Sequence, residues 1–155
     1  MNDGTEFANI LFLLMEETFE AKPHGIYLDD GTSLFETLAT VSAEEASLPV
    51  GGKCASLAAQ VAHVTFFIES FERHALQGDN TSPDWGWIWR TVETVTPQEW
   101  EDYKSKLREA YLRMDTLFHE NPTWNEANMG GALSIVIHTA YHLGEIRQAL
   151  CTLKS

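Results

Sequence analysis

The segment Ala132-Leu-Ser-Ile-Val-Ile-His-Thr-Ala-Tyr-His-Leu-Gly-Glu-Ile146 contains no charged side chain before Glu145. Apolar residues occupy most positions around a helix of this composition, so the sequence predicts a helix that is buried on most of its faces. We expect it to begin near Gly130-Gly131 and to continue to the C-terminus. Such a helix needs other helices around it, and this requirement points to an all-α fold.

Three further segments have the apolar period and the length of long helices. They run from about 5 to 22, from just after Gly52 to 76, and from about 97 to 120. The last has a strong start, with Thr96 as N-cap, Pro97 at the first helical position and Glu99 to close the capping box. Four long helices in 155 residues predict one domain over residues 1–155, an all-α four-helix bundle.

Shorter helical pieces are expected between the first two long helices. One lies around residues 32–40. Another is indicated by Ser42 and Glu45, which have the three-residue spacing of a capping box. These pieces would connect the long helices without adding a second domain.

Charge is the unusual feature of the composition. Lys and Arg number 10 against 23 Asp and Glu, which gives a formal net charge of -13. Such a field repels phosphate backbones and anionic membrane surfaces, so we expect no nucleic-acid partner and no membrane partner. It suits a protein that concentrates cations and acts on a small-molecule substrate.

Cysteine usage and the N-terminus indicate the compartment. Cys54 and Cys151 lie far apart and form no CxxC pair, so we expect reduced thiols, either buried or reactive, and favour buried hydrophobic side chains over nucleophiles. The first six residues are acidic where a secretory signal would be basic. The apolar run 10–15 is too short to span a bilayer and is followed by two Glu. We therefore expect a cytoplasmic protein.

Histidines are the residues best placed to carry chemistry. His138 and His142 are four apart in the most apolar helix, so their Cβ atoms lie about 6 Å apart on one face and the rings can share a metal ion. His63 lies in the middle of another apolar helix. Helices that each bring a ligand to the core of a bundle are a common way to build a metal site. The alternative is that these are core histidines satisfied by hydrogen bonds to neighbouring groups.

Several other chemistries are excluded by missing motifs. No His has a Glu three residues before it, which the di-iron bundles require. The HExxH, GxSxG and phosphate-loop patterns are also missing from the sequence.

Two segments resemble a known family. The stretch His138-Thr-Ala-Tyr-His-Leu-Gly-Glu-Ile-Arg-Gln148 resembles the C-terminal signature of DinB-like proteins, in which a His, a second His four residues later, a Gly and a Gln recur. The stretch Ala58-Ala-Gln-Val-Ala-His63 resembles the segment that carries the first metal ligand of that family. The resemblance implies an up-down-down-up four-helix bundle. It also implies that His63, His138 and His142 bind one divalent metal ion (Zn, Ni or similar), with water in the open positions.

The same resemblance implies an activity. Members are commonly described as metal-dependent hydrolases, and the better understood ones use a low-molecular-weight thiol in transfer or isomerisation. A metal held by three neutral imidazoles keeps its full charge and activates either a water for hydrolysis or a thiol for transfer. Two alternatives stay open: a non-catalytic metal-binding or interaction protein that forms a homodimer, and a bundle that binds no metal.

Glu145 is where the sequence departs from the family, which often has Gln there. It shares a helix face with both His of that helix. As a functional group it would be a general base or would orient a His ring; otherwise it would pair with a cation such as Arg147. Tyr141 either forms a hydrogen bond within the pocket or is a core residue.

The remaining candidates are the tryptophans and the other histidines. Trp85, Trp87 and Trp89 form a cluster that would wall a substrate pocket, form a dimer face, or plug the end of the bundle. The other three His are expected outside the site, because they fall at helix ends or too far along a helix from His63: His24, His74 and His119.

Overall fold

A computed structural model describes residues 4–21, 25–49, 54–79, 81–120 and 123–153. Within these ranges the chain forms seven α-helices and no strand, so the all-α prediction is confirmed. The helices are α1 Gly4–Phe19, α2 Leu34–Ala39, α3 Ala43–Ser47, α4 Leu57–Gln77, α5 Trp87–Thr91, α6 Pro97–Glu120 and α7 Glu126–Leu153. None of these helices is both long and apolar enough to cross a membrane.

Side-chain caps set several of the helix starts. The predicted box at Ser42 is present: its hydroxyl accepts from the backbone N–H of Glu45, whose carboxylate accepts from Ser42 in return. Thr96 and Glu99 form the same reciprocal pair at the start of α6. These hydrogen bonds satisfy backbone donors that the first helical turn would leave without a partner.

Two long helices begin elsewhere than predicted. The helix expected just after Gly52 begins at Leu57, because the Ser56 hydroxyl accepts from the backbone of the first turn and places the N-cap there. The helix expected at Gly130-Gly131 begins at Glu126, where Asn125 accepts from the backbone N–H of Asn128. Local capping by a polar side chain therefore determines both starts.

The four long helices enclose the core. α4 packs against α6 and α7, and α7 also packs against α1. The indole N–H of Trp100 on α6 donates to the backbone carbonyl of Val41 at 2.8 Å and ties the α2–α3 connection to the core. Fully buried side chains from the four long helices fill the centre; they include Leu11, Met15, Phe19, Leu57, Ile68, Leu107, Met114, Ile135 and Leu143.

The helices α4 and α7 lie side by side and run in opposite directions. Gln60 near the start of α4 contacts His142 in the second half of α7, whereas Phe71 near the end of α4 contacts Gly131. A Cβ atom at position 131 would overlap the Phe71 ring, so glycine permits the close approach of the two helices at this point.

Most positions of 132–146 on α7 are buried or half-buried, as expected, but one stripe is open. Ile137 is 65% exposed and Tyr141 is 62% exposed. Because α7 packs mainly against α1 and α4, the side turned away from both helices stays open.

Candidate metal centre

Three histidines from two helices lie close together. His63 comes from α4, and His138 and His142 come from α7 one turn apart. The Nε2 atoms of His63 and His138 are 3.2 Å apart, and the three rings offer ligand atoms that all lie within 4.8 Å of one another. His63 and His142 are buried and His138 is half-buried. The expected convergence of these three residues is therefore confirmed.

The spacing of the nitrogens fits a shared metal ion. Two imidazole nitrogens that each lie about 2.0–2.1 Å from one metal are about 2.9–3.4 Å apart for the usual ligand angles. The 3.2 Å between His63 and His138 falls in this range. A three-His cluster of this kind can bind a metal ion.

The hydrogen bonding of His63 and His138 argues against two ordinary core histidines. Their Nδ1 atoms are buried and have no hydrogen-bond partner among the described residues. Their Nε2 atoms face each other, and two neutral imidazoles can share only one hydrogen there. A ligand between the two rings would use both Nε2 lone pairs, while the Nδ1 atoms would stay without a partner among the described residues.

His142 is held differently. Its Nδ1 lies 2.5 Å from the side-chain oxygen of Gln60 and 2.9 Å from a carboxylate oxygen of Glu145. Both neighbours are acceptors, so Nδ1 carries the hydrogen and Nε2 is left to bind a ligand. This arrangement is typical of metal-binding histidines, whose second nitrogen donates to a carboxylate or carbonyl.

Aromatic rings flank the other two histidines. The His138 ring stacks on Phe67, with centroids 3.8 Å apart and planes inclined by 11°. The His63 ring lies 4.5 Å from Trp89, and Trp85 is 6.4 Å away. The tryptophan segment thus lies beside the histidine cluster.

Burial keeps all three rings neutral at physiological pH. It lowers the pKa of His63 and of His138 to about 4, and the charge of the neighbouring His142 acts in the same direction. Burial also lowers the pKa of His142, while Glu145 opposes the shift. Neutral imidazole is the form that binds a metal, so the site is ready for a ligand at pH 7.

Glu145 pairs with His142 and not with Arg147. The carboxylate is partly exposed, and the Arg147 guanidinium donates instead to the hydroxyl of Thr37 at 3.3 Å. Tyr141 points outward, and its hydrogen bond to Glu145, followed by the negative charge of that carboxylate, raises the pKa of the tyrosine. The Glu145 carboxylate therefore lies within hydrogen-bond distance of one ring of the cluster.

Two members of the site were missed by the sequence reasoning. Gln60 lies three residues before His63, and Phe67 lies four residues after it. Residues three and four apart share a helix face, so this spacing could have identified both.

Other candidate residues lie away from the cluster. His74 and His119 are exposed, as expected, while His24 lies outside the described residues. The expectation of buried thiols is wrong, since both cysteines are exposed. Cys54 lies before the N-cap of α4 and is therefore not part of that helix. Cys151 faces outward on the last turns of α7.

No family model, no curated protein and no solved structure matches this chain.

Proposed function

We propose that this chain is a DinB-like four-helix bundle that binds one divalent metal ion through His63, His138 and His142. With this ion it catalyses hydrolysis or thiol transfer on a small molecule. The observation that carries the proposal is the convergence of the three rings, whose ligand atoms all lie within 4.8 Å of one another, with the Nε2 atoms of His63 and His138 3.2 Å apart.

Contacts along the long helices support an up-down-down-up order. Two ring contacts show that α1 and α6 are antiparallel. Phe12 contacts His119, whereas Phe19, further along α1, contacts Tyr111, which lies earlier on α6. α4 and α7 are also antiparallel. Phe7 near the start of α1 contacts Trp124, just before α7, as expected for parallel neighbours. An order in which α1 and α7 point one way and α4 and α6 the other accounts for these contacts.

The residues around the triad would prepare it for catalysis. Gln60 and Glu145 share the Nδ1 hydrogen of His142 and fix the ring tautomer. Phe67 and Trp89 cover the other two rings with apolar surface, which strengthens electrostatic interactions within the site. A divalent ion in such a site supplies Lewis acidity and lowers the pKa of a water or thiol.

Metal content tests the first part of the proposal. We expect about one equivalent of a divalent transition metal by elemental analysis of untagged protein prepared without chelator, as for a single three-His site. His138→Ala should abolish it. His119→Ala is the matched control, because His119 is exposed and lies outside the cluster. Wild-type protein that neither contains nor takes up a metal would overturn the proposal and leave a metal-free bundle.

Activity of the metal-loaded protein tests the second part. A panel of esters and amides measures hydrolysis, and a low-molecular-weight thiol with an electrophile measures transfer. Either activity should disappear in His138→Ala and persist in His119→Ala. A protein that holds metal but has neither activity would instead be a non-catalytic metal-binding protein.

Exposed apolar side chains favour one alternative, a homodimer of the same fold. Ile137 and Tyr141 form an exposed apolar stripe on α7, on the same turns of the helix as His138 and His142. Sedimentation equilibrium of wild type and Ile137→Glu measures this directly, since a dimer built on the stripe would dissociate in the variant.

A further inference from the structure

A cleft borders the metal centre. It has a volume of about 510 Å³, within the range of small-molecule sites. Trp89 belongs to both regions: it lines the cleft, and its ring lies 4.5 Å from that of His63. Ser56, the N-cap of α4, also lines the cleft and precedes His63 by seven residues, about 10 Å along the helix.

The polar groups of the cleft are unevenly distributed. The hydroxyls of Ser47 and Ser56 already serve the protein backbone. Glu93 forms no hydrogen bond or ion pair within the described ranges, and no Lys or Arg is among the described residues of the cleft wall. Arg90 lies nearby in sequence but pairs with Asp84 at 2.5 Å. Trp89 and a carboxylate that has no partner among the described residues therefore line the same cleft.

This combination selects the charge of a ligand. A cation is attracted by the face of an indole ring and by a carboxylate, whereas an anion is repelled by the carboxylate and by the net charge of -13. We propose that the cleft binds a small organic cation, a quaternary ammonium or a protonated amine, against Trp89 and Glu93. Its use as an anchor for a substrate that reacts at the triad rests on the proposed metal-dependent function; cation binding itself does not.

The two cysteines provide a built-in assay. Cys54 lines the cleft, while Cys151 is exposed on α7 and does not line it. A ligand in the cleft should slow the reaction of Cys54 with a maleimide and leave Cys151 unchanged, as measured by mass spectrometry of the labelled peptides from the full chain. The ratio of the two rates corrects for any effect of the ligand on the reagent.

Three probes of similar shape test the preference for a cation. Choline is the cation, 3,3-dimethyl-1-butanol its neutral counterpart and 3,3-dimethylbutanoate an anion. Choline should protect Cys54, and the other two should protect it at least about 5-fold less well if a cation–π contact contributes. Equal protection by the alcohol or by the anion would overturn the proposal.

Matched variants identify the two recognition groups. Trp89→Leu should weaken choline binding about 2- to 5-fold, the range of a cation–π contact at an exposed site. Glu93→Gln should weaken it by up to about 5-fold, the range of an exposed ion pair. Glu120→Gln, at the far end of α6, and Trp87→Leu, outside the cleft wall, should leave it unchanged. If Glu93→Gln binds choline as well as wild type, the proposed site is wrong even if Trp89→Leu misfolds.

The same assay separates the cleft from the metal centre. His138→Ala should keep the protection of Cys54 by choline, because position 138 does not line the cleft. Protection without any metal in the wild-type protein would uphold the cleft and overturn the metal-dependent function. A protein that contains metal but shows no protection of Cys54 by choline would overturn the cleft proposal and leave the metal-dependent function standing.

Discussion

His138 on α7 lies face to face with Phe67 on α4, with ring centroids 3.8 Å apart and planes 11° from parallel. The Nδ1 atom of this histidine has no hydrogen-bond partner among the described residues, so the ring is held by this stacking and by the contact of its Nε2 with His63. His142, in contrast, is oriented by hydrogen bonds to Gln60 and Glu145. The cluster thus uses two different means to hold its rings, and each can be tested separately.

Phe67→Leu should weaken metal binding without removing it. The substitution keeps an apolar side chain but removes the stacking surface, worth about 0.5–1.5 kcal/mol, or about 2- to 12-fold in affinity. Phe66→Leu is the control, since Phe66 contacts Trp85 and Trp87 but forms no ring contact with the histidines. Competition with a chromophoric chelator measures both affinities. Equal losses in the two variants would show a general effect of core packing.

Glu145→Gln should lower metal affinity by about 10-fold, and Glu145→Ala by up to about 100-fold, the range for partners of metal-binding histidines. The reason is the 2.9 Å contact with His142, which Gln retains in weaker form. Turnover per bound ion should be kept in Glu145→Gln. A loss of about 10²–10⁴-fold in turnover at full metal content would instead identify a general base. Glu126→Gln, in the first turn of α7, is the control.

Much of the fold could be predicted because its signals are local. The apolar segment around His138 and the capping boxes at Ser42 and Thr96 depend on neighbouring residues alone. The sequence predicts the start of α7 near its two glycines, because glycine is unfavourable inside a helix. Gly131 lies inside the helix because Phe71 needs the space, and a contact between residues sixty positions apart leaves no local signal.

In the candidate site, too, some residues can be predicted from local signals and others cannot. The four-residue spacing of His138 and His142 on one helix identifies them as candidates. Gln60 and Phe67 could be found from their spacing to His63. The position of Trp89 beside His63 could not be predicted from spacing. The connection between α4 and α5 determines which of the tryptophans contacts this histidine. The exposure of Cys54 also depends on where Ser56 starts α4.

Two neighbouring glycines should respond in opposite directions to alanine. Gly131→Ala places a Cβ atom against the Phe71 ring and should destabilise the protein by about 1–3 kcal/mol. Gly130→Ala meets no atom within 4 Å and should stabilise the helix by about 0.5–1 kcal/mol. Urea unfolding of both variants measures the two effects. A stabilised Gly131→Ala would show that α4 and α7 do not need this close approach.

Nucleic-acid binding should be negligible at physiological salt. With 10 basic against 23 acidic side chains, the chain has too few cations to displace the counterions of a phosphate backbone. A gel shift with single- and double-stranded DNA and RNA should show free nucleic acid at micromolar protein. A sub-micromolar complex that weakens with salt would contradict this prediction.

The metal-free protein should lose stability as the pH falls from about 6.5 to about 4. Burial lowers the pKa of His63 and His138 to about 4, whereas the same side chains titrate near 6.5 in the unfolded chain. Between these values the unfolded chain takes up protons that the folded protein does not, so the free energy of unfolding decreases across this window. Each histidine contributes at most on the order of 3 kcal/mol, at about 1.4 kcal/mol per pH unit.

Urea unfolding at several pH values measures this slope in protein treated with chelator. The double variant His63→Leu/His138→Leu should show a flatter dependence between pH 6.5 and 4.5, while His119→Leu should keep the wild-type slope because His119 is exposed. Bound metal should steepen the wild-type slope, since the ion binds only the neutral rings of the folded protein. An unchanged slope in the double variant would show that other groups cause the acid sensitivity and that the rings are not held neutral by burial.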